Sequence, residues 1–468
     1  MHILITRGSL RRIDLVSENF REFVRQNLDR FAREIMALAS QPSVSAKNEG
    51  IEECAELVEK MMNELGIRTK VLRMEGSAPL LYGEMKSGRS DKTVLFYNHY
   101  DVQPVEPIEE WRSPPFKPET REGRLYGRGV SDDKGELVSR LKILEAFLEA
   151  DGEIPCNFKF CFDGEEEVGS PHLDQYIGKH RELFRADAVF WEWGGVDEAD
   201  RPVVQLGVKG NMVLELALRS LAKDAHGKTS AALPSAPWKM VQFLSKIRDE
   251  TGRIMIEGWY DDVEKLSTEE MNVVQKEPFD AKEYLRVYGA KGFLGGMTPS
   301  EAKEALATMP TANISGIWGG YTGPGAKGIV PAEVHCKLNF QLVQHQDPDK
   351  LFALFRRFLR KTGNSDIEIL WHRGEPAART SHNNPFAQAC IRAGRRVYGK
   401  KSVVRHSASG SGPMYVIAKR YKIPAVSIGV SAPDSGMHAP NENLRIDLLE
   451  KGILWISETI AGYVNGPS

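Results

Sequence analysis

Cysteine is scarce in this chain of 468 residues. The five cysteines form an odd, widely spaced set without a CxxC pair: Cys54, Cys156, Cys161, Cys336 and Cys390. A disulfide framework would need an even set, and a structural zinc site built on cysteine would need closely spaced pairs. The pattern therefore favours reduced thiols in a cytoplasmic protein.

Long apolar runs and a strong net charge are also missing. No stretch approaches the ~20 apolar residues that cross a bilayer, and the N-terminal residues lack the apolar core and cleavage site of a signal peptide. The formal net charge of -2 provides no basic surface for nucleic acid. We therefore expect no membrane and no nucleic-acid partner. At this length we expect at least two domains.

Helical and strand patterns alternate over the first 200 residues. Apolar positions recur at helical spacing in 18–40, in 51–65 and in "DDKGELVSRLKILEAFLEA". The segments "TVLFYNHYD", "NFKFCF" and "DAVFWEW" have the composition of buried strands. This alternation predicts an α/β sandwich with a mainly parallel sheet.

The pattern changes near residue 208. Period-two alternation in "GNMVLELALRS" and in 331–343 predicts antiparallel strands, with a helix near 236–248 and an irregular stretch over 258–285. The glycine-rich run 319–328 has no following GK[ST] and is interpreted as a turn. We therefore predict a catalytic metal-binding domain, 1–208 plus 378–468, interrupted by a smaller α+β domain, 209–377.

The run "FDGEEEVGS" places Glu165, Glu166 and Glu167 directly after an apolar strand. An isolated acidic run is usually a solvated loop. Here, however, the carboxylates follow a strand end and precede a turn, and ligands bind at the carboxyl ends of strands in open α/β sheets. A bound cation would offset the repulsion between the carboxylates.

Other predicted strand ends carry the same kinds of side chain. His99 and Asp101 follow one strand, Glu192 lies between two tryptophans, His438 follows the strand "IPAVSIGV", and an Asp pair precedes a helix. Imidazole and carboxylate without cysteine suit catalytic zinc, with manganese or cobalt as alternatives. Two histidines and three carboxylates are enough for two metals if one aspartate bridges them, which leaves one glutamate as a general base.

Four motifs carry a resemblance to a known family: "NHYDVQP", "LYGRGVSDDKG", "EEEVGS" and "SGMHAPNE". The chain resembles the co-catalytic zinc peptidases and aminoacylases of the carnosinase, carboxypeptidase G, succinyl-diaminopimelate desuccinylase and acetylornithine deacetylase type. The resemblance implies a phosphorylase/hydrolase-like α/β domain of the zinc-exopeptidase type with an inserted lid and dimerisation domain. We therefore expect a homodimer formed through the lid.

The resemblance also implies roles for the strand-end residues. His99, Asp132 and Glu192 would hold one zinc, and Asp132, Glu167 and His438 the other. Glu166 would be the general base. Asp101 would hydrogen-bond His99 and fix its tautomer, while Glu165 is expected to be solvated.

In the lid, the resemblance points to His226 as a donor to the oxyanion in the partner's site and to Asn313 as a substrate contact. Gln341 occupies the position where related dipeptidases have the arginine that binds the substrate carboxylate. Their "REGGSIP" is here "SASGSGP", in which Gly410 and Ser411 are candidate substrate contacts. Arg405, His406, Arg373 and Arg379 are possible substitutes for the missing arginine.

We therefore expect a di-zinc amidohydrolase in which metal-bound hydroxide cleaves an amide bond of a small substrate. A dipeptidase or carboxypeptidase is the leading hypothesis. An N-acyl amino acid hydrolase of the aminoacylase type is the alternative, because Gln341 and Ala408 replace charged residues of the relatives. A non-catalytic binding protein is disfavoured, since the base and all five ligands are present.

Overall fold

The fold comes from a computed structural model that describes residues 15–408 and 410–466. In chain order, the helices are α1 (Glu18–Ala39), α2 (Ile51–Glu64), α3 (Lys134–Asp151), α4 (Leu173–Lys179), α5 (Ala236–Leu244), α6 (Thr268–Lys276), α7 (Ala281–Val287), α8 (Pro299–Thr308), α9 (Pro348–Lys361), α10 (Pro385–Tyr398), α11 (Tyr415–Tyr421) and α12 (Ile446–Val464). The strands are β1 (Arg68–Leu72), β2 (Leu80–Met85), β3 (Thr93–His99), β4 (Glu119–Arg121), β5 (Arg124–Tyr126), β6 (Asn157–Asp163), β7 (Ala188–Trp191), β8 (Gly195–Val196), β9 (Pro202–Gln205), β10 (Gly207–Val208), β11 (Gly210–Arg219), β12 (Ala225–His226), β13 (Thr311–Trp318), β14 (Ile329–Val330), β15 (Glu333–Leu342), β16 (Glu368–Glu375), β17 (Ala378–Arg379), β18 (Val403–Arg405), β19 (Ala425–Ser427) and β20 (Asn443–Arg445).

The chain divides into two compact units. The first unit comprises the described residues of Met1–Leu206, Thr380–Val404 and Val416–Ser468, and the second unit comprises those of Gly207–Arg379 and Arg405–Tyr415. The sequence assigned all of 378–468 to the catalytic domain. In the structure the segment 405–415, which carries Gly410 and Ser411, groups with the second unit.

A mixed sheet forms the centre of the first unit, with strand order β1-β2-β6-β3-β7-β19-β9-β18 and with β8 paired to β9. The four strands β6, β3, β7 and β19 run parallel, and antiparallel pairs flank them. The predicted α/β fold is thus confirmed, with parallel strands at its centre. Parallel strands are buried on both faces, which explains their nearly continuous apolar sequence.

Aromatic side chains fix the register of the central strands. The ring of Phe96 in β3 stacks between Phe160 of β6 and Phe190 of β7, with centroid distances of 5.4 and 5.3 Å. On the opposite face, Tyr97 stacks on Trp191 at 3.8 Å. Because successive side chains of a strand point to opposite faces, the two stacks hold both sides of the sheet. The strand ends that follow are therefore held in a fixed relation to one another.

The second unit is built on an antiparallel sheet of order β13-β15-β11-β16. In β15, residues of high and low burial alternate along the strand, as the period-two pattern predicted. Its buried face packs against α5 and α9 through side chains such as Phe243 and Phe355. The predicted smaller α+β insert is confirmed as a separate antiparallel sheet with helices.

The stretch 258–285 was predicted to be irregular, and this prediction is wrong. It contains α6 and the start of α7. Ser267 and Glu270 form a capping box at the start of α6, and Asp280 caps α7 through the N–H groups of Lys282 and Glu283. The sequence signal was present in "STEE", but short helices with few apolar positions give a weak periodic pattern.

None of the described helices is both long and apolar enough to cross a membrane. All five cysteines are free and buried.

Candidate metal centre

Three central strands bring candidate ligands to one edge of the sheet in the first unit. β3 ends at His99, which lies opposite Asp163, the last residue of β6, in the parallel register. β7 ends at Trp191, directly before Glu192. The Glu165–Glu167 turn follows β6. The carboxyl edge of the sheet therefore collects the imidazole and carboxylates, as the strand-end argument predicted.

Asp132 lies between the two candidate histidines. One carboxylate oxygen, Oδ1, is 3.2 Å from Nε2 of His99, and the other, Oδ2, is 2.9 Å from Nε2 of His438. Each oxygen therefore faces a different imidazole. This is the arrangement that one carboxylate needs to share two cations.

Each imidazole also faces a second carboxylate. Nε2 of His99 is 4.0 Å from Oε2 of Glu192, and Nε2 of His438 is 3.3 Å from Oε2 of Glu167. Ligand atoms of His99, Asp132 and Glu167 all lie within 4.8 Å of one another. The structure therefore brings together all five residues that the sequence singled out as metal ligands.

Asp101 is fully buried and holds two parts of the site. Nδ1 of His99 is 3.0 Å from the Asp101 backbone oxygen and 3.3 Å from its carboxylate. The two carboxylate oxygens accept the backbone N–H groups of Glu166 and Glu167 at 3.1 and 3.0 Å. A proton on Nδ1 of His99 leaves the Nε2 lone pair directed at Asp132 and Glu192. Asp101 thus also fixes the acidic turn, a role that the sequence did not suggest.

The first glutamate of the run, Glu165, is not solvated, contrary to the prediction. Glu165 is buried, its carboxylate lies 2.9 Å from Nδ1 of His172, and it accepts the N–H of Ala78 at 3.1 Å. The partner His172 lies seven residues downstream, and Ala78 belongs to another part of the chain. Glu165 therefore anchors the acidic turn from behind.

Asp133 adds a further carboxylate beside the centre. A lone aspartate before a helix usually caps it, but the Asp133 side chain makes no capping bond to α3. Its Oδ2 accepts from the Asn98 side chain at 2.7 Å and from the His99 backbone N–H at 3.0 Å. Ligand atoms of His99, Asp133 and Glu192 also lie within 4.8 Å of one another. Asp133 is therefore a competing candidate for the site on His99, although only Asp132 faces both histidines.

The carboxylates of this centre repel one another in a buried place. Burial, followed by the charge of Glu166, raises the pKa of Glu192 well above its usual range. Burial likewise raises the pKa of Glu166 to about 8. Burial also opposes the ionisation of Asp132, but hydrogen bonds from His438 and His99 hold its pKa below the usual range. Added positive charge would relieve this repulsion.

Two further carboxylate oxygens of the centre are suited to bind a cation. Oε1 of Glu167 and Oε2 of Glu192 are buried and have no hydrogen-bond partner among the described residues. An unpartnered buried carboxylate oxygen is costly unless it is paired or binds a metal. The donor set of two imidazoles and three carboxylates, with these unpartnered oxygens, therefore fits two divalent metals.

Glu442 is a site residue that the sequence analysis missed. Its Oε1 accepts the N–H groups of Ser131 and Asp132 at 2.9 Å each, and its Oε2 accepts from the Gly129 N–H and the Arg128 guanidinium at 3.0 and 2.8 Å. Glu442 is only four residues after His438. It therefore ties the loop of Asp132 to the loop of His438.

Gln103 is a second missed residue. Its side-chain amide donates to Oε2 of Glu167 at 2.7 Å. Gln103 and Glu442 both lie inside the quoted motifs "NHYDVQP" and "SGMHAPNE". Their contacts depend on the folding of distant loops, so no spacing rule could have assigned them.

The remaining candidates lie in the second unit. His226 ends β12, is exposed, and accepts the Lys228 backbone N–H on Nδ1 at 3.1 Å. The proton of a neutral His226 ring is therefore on Nε2, where it can be donated. Asn313 is an exposed residue of β13.

Gln341 lies next to Asn211, a residue that the sequence did not indicate as part of a site. It pairs with Asn211 of β11, and Asn211 donates to the Ser411 side chain at 2.8 Å. The Gly410 carbonyl accepts the Lys209 backbone N–H at 3.0 Å. Gln341 and the segment with Gly410 and Ser411 are thus both tied to the start of β11.

The arginines proposed as substitutes are already paired with carboxylates. Arg405 contacts Glu277 at 2.9 Å, and Arg373 contacts Glu375 at 2.7 Å. Arg379 contacts two glutamates, Glu264 at 3.3 Å and Glu270 at 3.2 Å. Burial and Arg379 lower the pKa of His406 to about 4, so this ring is neutral at pH 7.

Comparison with known proteins places this arrangement among peptidases. A family model described as peptidase family M20/M25/M40 matches residues 95–462. The chain is 28% identical to a human Beta-Ala-His dipeptidase over 78% of this chain and 74% of the relative. It is 27% identical to a Cys-Gly metallodipeptidase from Schizosaccharomyces pombe over 92% of this chain and 95% of the relative.

A solved structure is also similar over nearly the whole length. An M20 family metallo-carboxypeptidase from Sulfolobus solfataricus is 37% identical, with a TM-score of 0.87 over 93% of this chain and 99% of that chain. Both units are therefore covered by the similarity.

Proposed function

The chain belongs to peptidase family M20/M25/M40, and on this premise we propose how its residues hydrolyse a small peptide. It is a metal-dependent peptidase of the dipeptidase and carboxypeptidase type. The proposed substrate is a dipeptide, or a short peptide that loses its C-terminal residue. The observation that carries the proposal is the position of Asp132, whose two oxygens face two imidazoles beside Glu166.

Two divalent metals, zinc in our proposal with manganese or cobalt as alternatives, would bind the five converging residues. His99, Asp132 and Glu192 would hold one, and Asp132, Glu167 and His438 the other. When bound, such a pair lowers the pKa of water and polarises the scissile carbonyl. Gln103 and Asp101 keep Glu167 and His99 in place through the hydrogen bonds described above.

Glu166 is the proposed general base. Its backbone N–H is fixed by Asp101, and its carboxylate lies next to Glu167 in the chain, so it is held at the edge of the metal site without being needed as a ligand. Glu166 takes a proton from the attacking water and delivers it to the leaving amine. No residue of this chain has to form a covalent bond to the substrate.

His226 is proposed to stabilise the oxyanion of the reaction. The hydrogen bond from Lys228 to Nδ1 supports this, because it leaves the ring proton on Nε2 for donation. Asn313, Gln341, Gly410 and Ser411 are proposed substrate contacts. The homodimer through the second unit and the cytoplasmic location also stay predictions.

A second candidate substrate class is an N-acyl amino acid. Ala408 favours it, since it stands where the related motif has a glutamate, and an N-acyl amino acid has no ammonium group for a glutamate to bind. The relatives compared above are dipeptidases and a carboxypeptidase, which makes peptides the first choice.

A substrate panel tests the proposal. Metal-reconstituted enzyme is assayed with dipeptides, N-acyl amino acids and amino acid amides at equal concentration. We expect the highest kcat/KM among dipeptides and an undetectable rate after chelation, restored by zinc, manganese or cobalt. A clear preference for N-acyl amino acids would favour the second class, and full activity without metal would contradict the mechanism.

A further inference from the structure

An open cavity with about 390 Å³ of empty space lies within the second unit, built from residues without a role in the proposed mechanism. Part of this space is open solvent, because the cavity opens to the surface. Polar and charged groups, among them Lys209, Gln344 and Glu264, line it together with the apolar side chains of Leu266, Val343 and Ala307.

Lys209 is the unusual group in this cavity. It is only 2% exposed, and its ammonium group donates to the backbone oxygen of Met309 at 3.0 Å. Among the described residues, no carboxylate forms an ion pair with it. Burial alone lowers the pKa of Lys209 to about 8. An ammonium group has three donors and a full charge, so Lys209 can still bind an anion.

The cavity has one other cationic side chain, Arg379, and carboxylates already compensate its charge. Glu264 and Glu270 contact its guanidinium at 3.3 and 3.2 Å, and the neutral ring of His406 accepts from it as well. The positive charge available to a ligand is therefore that of Lys209.

An acceptor lines the same cavity. Oε1 of Gln344 is buried and has no hydrogen-bond partner among the described residues. The Glu264 side chain, 45% exposed, adds negative charge. One uncompensated cation and one unused acceptor, set among apolar walls, match a small molecule that carries both an anion and a donor.

We propose that this cavity binds a free α-amino acid with a small or medium apolar side chain. The α-carboxylate pairs with Nζ of Lys209, the α-ammonium group donates to Oε1 of Gln344, and the side chain packs against Leu266 and Val343. This inference goes beyond the proposed hydrolysis and does not depend on it. Free amino acids are the class of product that peptide hydrolysis releases, so the ligand is at hand during turnover.

Calorimetric titration of the zinc-loaded full chain with L-leucine tests the proposal. Lys209→Met removes the charge, and Lys291→Met at an exposed position outside the cavity is the matched control. Loss of a charge-assisted hydrogen bond should weaken leucine binding about tenfold or more in Lys209→Met, with no change in the control. Leucinamide and N-acetyl-leucine, which each lack one charge, should bind the unaltered protein about tenfold or more weakly.

The Asp132→Ala variant shows whether leucine binds in this cavity or at the metal centre. Leucine binding should persist in Asp132→Ala. Binding that is lost there but kept in Lys209→Met would place leucine at the metal centre and overturn the proposal, as would the absence of any binding. If Lys209→Met does not fold, Gln344→Leu takes its place, and unchanged leucine affinity in that variant would contradict the proposed contact.

Discussion

At the scale of single residues, the acidic run separates into three roles. Glu165 bonds to His172 and Ala78, and Glu167 faces His438. The Glu166 side chain has no such bond to the residues that the structure describes. Three adjacent residues of one type can differ so much because each backbone position of the tight turn points its side chain elsewhere. Like charges can be concentrated here because two metals would offset them.

Glu166→Gln should separate catalysis from metal binding. Glutamine cannot accept the proton of the attacking water, so turnover should fall about 10²–10⁴-fold. The metal content should stay unchanged, since Glu166 is not a proposed ligand. Steady-state kinetics combined with elemental analysis of the same sample measure both quantities.

Glu165→Gln is the matched control, one residue away and also buried. It should lower the melting temperature, because it weakens the bond to His172, and change turnover by much less than Glu166→Gln does. A loss of metal in Glu166→Gln would mean that this residue is a ligand and that its role has been confused with that of Glu167.

At the scale of elements, the centre depends on loops that are far apart in the chain. The carboxylate of Glu442 binds backbone groups of the loop before α3, although about 310 residues separate it from Asp132. It thereby fixes the distance between the two loops that carry Asp132 and His438. A residue that positions a ligand in this way affects metal affinity without touching the metal.

Glu442→Gln should therefore weaken metal binding about 10–100-fold, the usual effect of losing such a supporting group. The glutamine NH₂ cannot accept, so two of the four donors lose their partner. Competition with a metal chelator measures the affinity. Glu450→Gln, which removes a partly exposed contact to Arg25 at 3.7 Å, is the control and should leave the affinity unchanged. Equal affinities in both variants would contradict the role of Glu442.

The length and the periodicity of each helix or strand decided how well it could be predicted from the sequence. Long periodic segments such as α1 and the apolar β3 were predicted with boundaries within two residues, since burial patterns dominate there. The ligands followed from the rule that strand ends converge and from the family motifs. The contacts of Glu442, Gln103 and Asn211 could not be predicted, because they join loops whose positions depend on the folded chain. The helix α6 was missed although its capping box was readable.

At the scale of the whole molecule, the proposed function needs residues from both units. His226 belongs to the second unit, and the metal ligands belong to the first. If the predicted homodimer places His226 in the partner's site, His226→Ala subunits and Glu166→Gln subunits complement each other. One intact site then forms in each mixed dimer.

Co-expression of these two variants should therefore give more activity than either variant alone. One oxyanion donor is worth about 10²–10³ in turnover, so His226→Ala alone should be nearly inactive while keeping its metal. Activity of purified mixed dimers, carrying a different tag on each subunit, measures the effect. No recovery in such dimers would mean that His226 acts within its own chain or has no catalytic role.

The metal content of ligand variants tests most directly whether Asp132 serves two metals. Elemental analysis of zinc-saturated, dialysed protein should give two metals per chain. Glu192→Ala and Glu167→Ala should each retain about one metal, and Asp133→Asn should retain both. Asp132→Ala should retain almost none. One full metal in Asp132→Ala, as in the single-site variants, would contradict the bridging role.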